Sequence, residues 1–305
     1  MRAALMAASR RDGVRRVVEH APVSRRVVKR FVPGSSVDDA VRATRELVDA
    51  GLWVSLDYLG EDITEVAQAK ATAAAYLTLL DELAAAGLAA KAEVSVKLSA
   101  IGQALDRSLA VDNAREICAA AQSAGTTVTL DAEDHTTTDG TLDVLRELRT
   151  DFPSVGGVLQ AYLRRTEADC RDLAGAGSRI RLCKGAYDEP ESVAYKRRAE
   201  VDASYVRCLR ALLEGDGYPM IATHDPAMVS AATDIIDENR RPADGYEFQM
   251  LYGIRPDEQQ RLAREGRIMR VYIPYGDEWY GYLVRRLAER PANVKFFLRS
   301  LASRR

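Results

Sequence analysis

Eight short runs of β-branched and aromatic residues recur along the chain, and their spacing constrains the fold more than any other feature. Successive runs begin roughly thirty residues apart, which is the length of one βα unit. Each run is bounded by Gly, Pro or Asp and is followed by a longer stretch with helical periodicity. The runs occupy residues 53–60, 93–100, 126–133, 155–162, 179–187, 218–225, 245–253 and 267–276. Eight such units predict an α/β protein of the (β/α)8, or TIM, barrel type.

The remaining sequence agrees with one large barrel domain. Residues 64–87 form the clearest predicted helix, which is rich in Ala and Leu and ends at Gly87. The chain has 305 residues and 47% hydrophobic content, and no linker or low-complexity segment divides it. A doubly wound sheet is the alternative fold. It usually carries GxGxxG after its first strand, and the nearest approach, "AGAGSR" at 174–179, leads into a strand instead of opening a helix.

Composition excludes several classes of function. The formal net charge is −2, which argues for a small-molecule partner and against nucleic acid. No apolar run is long enough to span a bilayer. The four cysteines show no CxxC spacing and the three histidines lie far apart, so we expect neither a disulfide framework nor a metal site. Reduced thiols are typical of a cytoplasmic protein.

The N-terminal segment is more basic than the rest of the chain. Residues 1–30 carry nine Arg or Lys against two acids. Such a segment is compatible with an organellar transit peptide or a membrane-surface helix. The mixture of apolar and basic residues in "RRVVKRFVPG" favours helices docked outside the first strand. We therefore predict a helical segment over residues 1–50, packed on the barrel, and leave open a peripheral contact with the inner face of the cytoplasmic membrane.

Functional groups of a (β/α)8 barrel lie at the carboxyl ends of its strands. Those ends carry Asp57, Glu61, Lys97, Asp131, Glu133, Gln160, Tyr162, Arg181, Lys184, Tyr187, His224, Asp225, Gln249, Tyr252 and Tyr272. Side chains alternate along a strand, so Arg181 and Lys184 are expected to face opposite ways. No serine or cysteine is evidently paired with a histidine. The abundance of Arg, Lys, Tyr and Gln suits anion binding and a bound cofactor, and hydride chemistry fits this inventory.

A late helix places two arginines on an ordered face. Tyr282, Arg285, Arg286 and Glu289 fall at i, i+3, i+4 and i+7. A solvated face is the ordinary explanation of adjacent arginines, but an apolar stripe beside them indicates packing. If this helix lies over the barrel mouth, both guanidiniums reach one carboxylate in the cavity.

Six short motifs give the chain a resemblance to a known family. They are "VSVKLSA", "DAED", "RLCKGAY", "ATHD", "FQMLYG" and "YLVRRLAE", in family order and at family-like spacing. The chain resembles the monofunctional bacterial proline dehydrogenases from about residue 53 to 294. The resemblance implies a distorted barrel over residues 51–305 that binds FAD non-covalently, with a C-terminal helix over the active site. It implies oxidation of L-proline to Δ1-pyrroline-5-carboxylate by hydride transfer to flavin N5, the first step of proline catabolism to glutamate. Electrons would pass to a quinone, and a separate pyrroline-5-carboxylate dehydrogenase would act next.

The resemblance also implies site residues. Arg285, Arg286 and Lys97 would bind the proline carboxylate, and Asp131 would support Lys97 and Tyr272. The pocket around the ring would be lined by Tyr272, Leu251, Ala186, Tyr187 and Tyr282. Glu61 would pair with the first arginine as a gate, and Arg181 would lie beside flavin N5. FAD would be contacted by Gln160, Lys184, Gly185, Ala186, Thr223, His224 and Glu289. The chain departs from the family pattern at Val201, where many members have threonine.

Other functions remain open at this point. A related oxidoreductase acting on a hydroxylated cyclic imino acid is one, and the bulk of Tyr272 bears on that choice. A lyase or aldolase with Lys97 or Lys184 as a Schiff base is a non-redox alternative. A non-enzymatic binding module fits the polar strand ends least well.

Overall fold

The computed structural model describes residues 28–60 and 63–282, and its strands close into an eight-stranded parallel barrel. Neighbouring strands pair in sequence order, and β8 pairs with β1 to complete the ring. The strands are β1 (Trp53–Tyr58), β2 (Ala92–Val96), β3 (Val128–Leu130), β4 (Gly156–Gln160), β5 (Arg179–Cys183), β6 (Tyr218–Ala222), β7 (Glu247–Leu251) and β8 (Met269–Tyr275). Each strand falls on one of the eight runs, so the predicted (β/α)8 barrel is confirmed.

Helices alternate with the strands and surround the barrel. They are α1 (Val37–Asp49), α2 (Val66–Ala85), α3 (Arg107–Ser123), α4 (Thr138–Leu148), α5 (Thr166–Asp172), α6 (Arg198–Glu214), α7 (Pro226–Glu238) and α8 (Pro256–Arg264). Short 3-10 turns lie at Ala89–Lys91 and Ser99–Ile101, and residues 279–282 are helical. Helix α2 matches the helix predicted over 64–87. Its first turn is closed by Gln68, whose side-chain oxygen accepts from the backbone N–H of Glu65, and Gly87 follows its end at φ +71°.

The outer face of the barrel packs against the helices through aliphatic side chains. Leu56, Val94 and Leu182 are fully buried there and belong to one continuous core. Tyr76 of α2 also joins this layer to the strands, because its hydroxyl donates to the Ser95 carbonyl at 2.7 Å. The layer is what fixes the strand ends in space, since burial of these side chains is the main driving force for assembly.

The inner face is polar, which is unusual for a barrel of this type. Aliphatic side chains commonly fill such interiors. Here the inward positions alternate with the aliphatic ones and carry Ser55, Asp57, Glu93, Ser95, Lys97, Arg179, Arg181, Glu247, Gln249 and Arg270. Arg181 of β5 bonds to side chains of β1, β2, β3 and β7, which places it across the lumen. Ion pairs therefore hold the strands together from within.

Part of the predicted N-terminal segment is described. Helix α1 packs its buried Ala40 and Ala43 into the barrel core. The basic residues 1–27 lie outside the described residues, and so does the late helix beyond residue 282. Within residues 28–60 and 63–282, none of the helices combines the length and hydropathy needed to cross a bilayer.

Candidate active site

Every described residue to which the family resemblance assigns a role lines one cavity of about 430 Å³ at the carboxyl ends of the strands, whereas the strand-end candidates Glu133, Tyr162 and Tyr252 do not line it. These residues are Lys97, Asp131, Gln160, Arg181, Lys184, Gly185, Ala186, Tyr187, Thr223, His224, Leu251, Tyr272 and Tyr282. Glu61, Arg285, Arg286 and Glu289 lie outside the described residues. Side chains from β1 to β8 thus meet in one place although 185 residues of sequence separate Lys97 from Tyr282.

Arg181 is the buried cation at the centre of the cavity floor. Its Nη1 donates to Asp131 Oδ1 at 2.6 Å and its Nε to Gln249 Oε1 at 2.5 Å. Nη2 reaches Ser95 Oγ at 3.0 Å and Glu93 Oε1 at 3.3 Å. Burial disfavours the guanidinium charge, but the facing carboxylates outweigh it and raise the pKa of Arg181. The side chain is therefore a permanent positive charge in fixed orientation.

Asp131 is bonded through both of its oxygens. Oδ1 accepts from Arg181, and Oδ2 accepts from the Tyr272 hydroxyl at 2.6 Å. The Arg181 guanidinium carbon also lies 5.3 Å from the Tyr272 ring centroid, a cation–π contact. Asp131 was predicted to support Tyr272 and Lys97. The structure brings Asp131 to Tyr272, whereas the ammonium of Lys97 donates to Asp57.

Asp57 and Lys97 form a second buried ion pair in the cavity. Lys97 Nζ lies 2.7 Å from Asp57 Oδ2, and the two side chains are 10% and 2% exposed. Asp57 Oδ1 is buried and accepts no hydrogen bond from the residues that the structure describes. Burial raises the pKa of the Asp57 carboxyl, and Lys97 opposes that shift.

A chain of groups below the cavity orients Gln249. Arg270 donates to Glu247 through Nε at 2.6 Å and through Nη2 at 2.9 Å. Glu247 accepts in turn from the Gln249 amide nitrogen. Because a carboxylate only accepts, the amide oxygen of Gln249 must face Arg181. Burial disfavours the Glu247 carboxylate, but Arg270 outweighs it and brings its pKa to about 2.

The opposite side of the cavity carries the residues predicted for the cofactor. Lys184 pairs with Asp202 and, at 2.8 Å, with Asp225. His224 Nε2 accepts from the backbone N–H of Leu251 at 2.8 Å, which fixes the ring. These bonds hold one cation and one imidazole at the cavity wall.

Gln160 and Gly185 complete this wall. The Gln160 amide donates to the Glu133 carbonyl at 2.7 Å. Gly185 has φ +109°, and a Cβ there would lie 2.3 Å from ring carbons of Tyr162. The Tyr162 hydroxyl is bonded to the buried Glu189. Only glycine leaves room for this loop to lie against that ring.

Sequence reasoning missed several residues of the site. Asp57 was noted as a strand end but was given no role, and Asp202, the partner of Lys184, was left out. Glu93, Glu247 and Arg270 lie below the strand ends. The signal that would have found Glu93, Glu247 and Arg270 is the alternation of polar and apolar residues within "EVSVK", "EFQML" and "MRVYI".

Comparison with known proteins agrees with the geometry. The family model described as proline dehydrogenase matches residues 40–299. Proline dehydrogenase 1 of Bacillus subtilis is 37% identical over 273 residues, and the proline dehydrogenase of Deinococcus radiodurans is 41% identical over 280 residues. Each match covers 90% of this chain and 90% of the relative.

Among solved structures, proline utilization A (PutA) from Bdellovibrio bacteriovorus, inactivated by N-propargylglycine, superposes with a TM-score of 0.81 at 27% identity. That match covers 87% of this chain but 33% of the PutA chain, so the likeness concerns one part of a longer protein. The chain belongs to the proline dehydrogenase family.

Proposed function

We propose that this chain oxidises L-proline to Δ1-pyrroline-5-carboxylate with a non-covalently held FAD, and passes the electrons to a quinone. Members of this family use a flavin and catalyse the first step of proline catabolism. The observation that carries the proposal is the single cavity lined by all the described residues that family resemblance assigns to substrate and cofactor. Substrate and flavin must touch for hydride transfer, and one cavity meets that requirement.

The residues present fit a flavin. Arg181 and Lys184 supply cations, and the Gln160 amide lies at the same wall. Gly185, which lets its loop pack closely against the Tyr162 ring, keeps the neighbouring Lys184 and Ala186 in the lining of the cavity. FAD carries phosphates and a ring that becomes negative on reduction, so cations favour both its binding and its reduced form. When bound, the flavin supplies the hydride acceptor.

On the substrate side, the carboxylate would be bound by cations. Lys97 is the described candidate, and Arg285 and Arg286 are those proposed from the family motif. Tyr272 would pack its ring against the pyrrolidine. Arg181 would stabilise the charge that develops next to it during reduction. The same proposal includes Glu61, which would pair with the first arginine as a gate over the site.

The lysine pairing speaks against the aldolase alternative. A Schiff-base lysine attacks as a neutral amine. Lys97 pairs with Asp57, and Lys184 with Asp202 and Asp225, so both side chains are engaged in ion pairs. A colourless protein that forms a borohydride-trapped adduct would support the aldolase and contradict the flavin proposal.

The test is steady-state oxidation of L-proline with a soluble quinone, beside trans-4-hydroxy-L-proline. We expect a yellow protein, a product that reacts with an amine trap for cyclic imines, and a clear preference for proline. Acid precipitation should release the chromophore into the supernatant because no covalent link is proposed. Colour left in the pellet would contradict the non-covalent proposal, and a flavin-free, inactive protein would contradict the function.

The carboxylate contacts have their own test. Arg285→Ala or Arg286→Ala should raise KM for proline more than it lowers kcat, since the contact exists before and during hydride transfer. The loss in kcat/KM should be about 30- to 1000-fold, as for one charge-assisted bond of roughly 2–4 kcal/mol. Arg286→Lys should restore part of it, because an ammonium cannot form the bidentate fork. Wild-type KM in either alanine variant would assign that arginine to a solvated face.

The quinone, a peripheral membrane contact and a separate downstream dehydrogenase belong to the same proposal. If the basic N-terminal segment binds the membrane surface, the protein should float together with added anionic vesicles in a density gradient. A protein that stays with the soluble fraction at low salt would contradict membrane contact.

A further inference from the structure

Among the described residues, three carboxylates line the cavity, and their hydrogen bonding differs. They are Asp57, Asp131 and Asp225. Both oxygens of Asp131 and both of Asp225 accept hydrogen bonds from cations, a hydroxyl or a backbone N–H. Asp57 uses Oδ2 for Lys97, while its buried Oδ1 has no donor within the described part of the chain. An orphaned carboxylate oxygen at this depth is costly, so it marks a position that a donor would fill.

The groups that face Asp57 come from four elements. Lys97, which directly follows β2, is the cation, and Asp131, which directly follows β3, is a second carboxylate. Tyr272 and Tyr275 approach from β8 and Tyr76 from α2. Burial is the main reason that the pKa of Asp57 is raised, with Lys97 acting against it. Of these surroundings, only Lys97 carries a positive charge. Asp57 differs from Asp131 in geometry, because both oxygens of Asp131 already accept hydrogen bonds whereas Oδ1 of Asp57 accepts none from the described residues.

The proposed reaction needs such an acceptor. Proline in water is a zwitterion whose ring nitrogen is protonated. A protonated nitrogen has no lone pair with which to stabilise the positive charge that forms as hydride leaves the adjacent carbon. One proton must therefore leave the nitrogen before the hydride does.

Resting on the proposed function, we propose that Asp57 accepts the amine proton of the substrate through Oδ1. The N–H bond breaks and leaves its electron pair on nitrogen, while the proton bonds to Asp57. Hydride would then leave the adjacent ring carbon for the acceptor that a bound flavin would supply, and the nitrogen lone pair would form the C=N bond of the product. Asp57 returns its proton to water when the product leaves.

Lys97 has a compatible part in this step. An ammonium has three donors, so Lys97 can hold Asp57 Oδ2 and bind the substrate carboxylate together. That bridge would place the substrate nitrogen, one carbon away from its carboxylate, beside Asp57. Lys97 is in this sense a positioning group as well as a carboxylate ligand.

The first test uses the wild-type enzyme. We measure kcat/KM against pH with L-proline and with L-thiazolidine-4-carboxylate, whose ring amine is far less basic because of the sulfur. If Asp57 removes the proton, the proline profile levels off well below the pKa of the free amine. A profile that keeps rising, about tenfold for each pH unit up to that pKa, would show that the enzyme selects amine already neutral in solution. That result would overturn the proposal.

The second test compares two isosteric variants. Asp57→Asn should lower kcat/KM for proline on the order of 10²- to 10³-fold at neutral pH, the usual contribution of one proton transfer. The variant should lower kcat/KM for thiazolidine-4-carboxylate far less. Its kcat/KM for proline should now rise with pH up to the pKa of the free amine. Asp225→Asn is the control, because Asn also caps a helix and both oxygens of Asp225 are already bonded. Asp225→Asn should change kcat/KM for both substrates by the same factor.

A purely structural role for Asp57 predicts something else. If Asp57 only aligned Lys97, its loss would weaken the binding of tetrahydrofuran-2-carboxylate, which has the carboxylate but no amine. It would also lower kcat/KM equally for both substrates and leave the pH profile unchanged. That pattern would overturn the proposal. Should Asp57→Asn not fold, the wild-type profiles decide. No oxidation of proline at any pH would refute the proposed function, whereas oxidation with the wrong profile would refute this inference alone.

Discussion

Tyr272 combines two roles that a substitution can separate. Its hydroxyl donates to Asp131, and its ring covers Arg181 at the cavity floor. Burial, with Asp131 next to it, holds the pKa of Tyr272 well above its usual range, so the hydroxyl stays a donor at every pH of interest. The bond anchors the ring, and the ring shapes the substrate side of the cavity.

We predict that Tyr272→Phe keeps the preference for proline over trans-4-hydroxy-L-proline, while Tyr272→Ser narrows it. The phenylalanine variant loses one hydrogen bond, whereas the serine variant also loses the bulk that crowds a 4-hydroxyl. Each should raise the activation free energy for proline oxidation by about 1–3 kcal/mol, and so lower kcat/KM. The ratio of kcat/KM for the two substrates is the measurement. Equal ratios in the two variants would show that the ring does not set specificity.

Gly185 is a second single position where chemistry follows from geometry. Gly185→Ala should disturb the loop, because φ +109° is strained for alanine and the new Cβ would meet the Tyr162 ring. We expect a loss of about 1–3 kcal/mol in the free energy of unfolding and weaker flavin retention. Gly175→Ala is the control, since its Cβ would meet nothing within 4 Å. Matching melting temperatures and flavin content in the two variants would contradict this prediction.

Among the elements, β2, β5, β7 and β8 share one pattern. Their outward side chains are mostly apolar and their inward ones mostly polar or charged, so the barrel has an apolar shell and an interior that contains several ion pairs. Breaking a buried ion pair from one side is costly because it leaves the other charge unpaired. The interior of this barrel is therefore sensitive to single charge removals.

We predict that Glu247→Gln on β7 lowers the free energy of unfolding by roughly 3–5 kcal/mol, because Arg270 loses the nearer of its two carboxylate partners, the one that accepts two of its hydrogen bonds. Glu238→Gln removes an equivalent carboxylate from a surface pair with Arg210 and should cost about 1 kcal/mol or less. Denaturant unfolding of both variants at neutral pH is the measurement. A similar loss in both would show that the interior pair is not special.

Glu247 also predicts a pH dependence of stability. Its folded pKa of about 2 lies below that of an unfolded glutamate, about 4.3. The stabilisation is thus fully present above the unfolded value and is lost as pH falls from about 4.5 towards 2. Wild type should lose on the order of 3 kcal/mol more than Glu247→Gln across that window. Parallel losses in the two proteins would assign acid lability to other carboxylates.

At the scale of the whole molecule, cofactor binding in the cavity is expected to stabilise the folded state. Its lining comes from strands β1 to β8, so a flavin that fills it contacts groups held by most of the barrel. A ligand that binds only the folded state stabilises it by mass action. Flavin-stripped protein should therefore melt at a lower temperature, and added FAD should raise the melting temperature with increasing concentration. No change at saturating FAD would place the flavin elsewhere or exclude it.

Much of this architecture could be predicted from sequence. All eight strands fall on the predicted runs, and Gly87 ends α2 at the expected place. The described site residues meet in one cavity because parallel strands of a closed barrel all end at the same face. Local pattern suffices for these features, since side-chain periodicity and strand direction are properties of short segments.

Partner choice inside the cavity was not predictable. The ammonium of Lys97 donates to Asp57, whereas Asp131 accepts from Arg181 and Tyr272. Both arrangements satisfy charge, and the selection depends on register between β1, β2 and β8 and on side-chain rotamers. Tertiary structure decides such pairings, because distances of a few ångström between residues far apart in sequence are set only when the barrel closes.

The sequence by itself determined the eight βα units, the face on which functional groups gather and the residue types available there. Only the tertiary structure decided which cavity carboxylate has an oxygen that accepts no hydrogen bond from the described residues. The physical reason is that alternation and helix ends are encoded by near neighbours, whereas hydrogen-bond satisfaction in a buried cavity depends on every strand that lines it. Asp57 was readable as a strand-end acid, and its open oxygen emerged from the packing of β1 against β2 and β8.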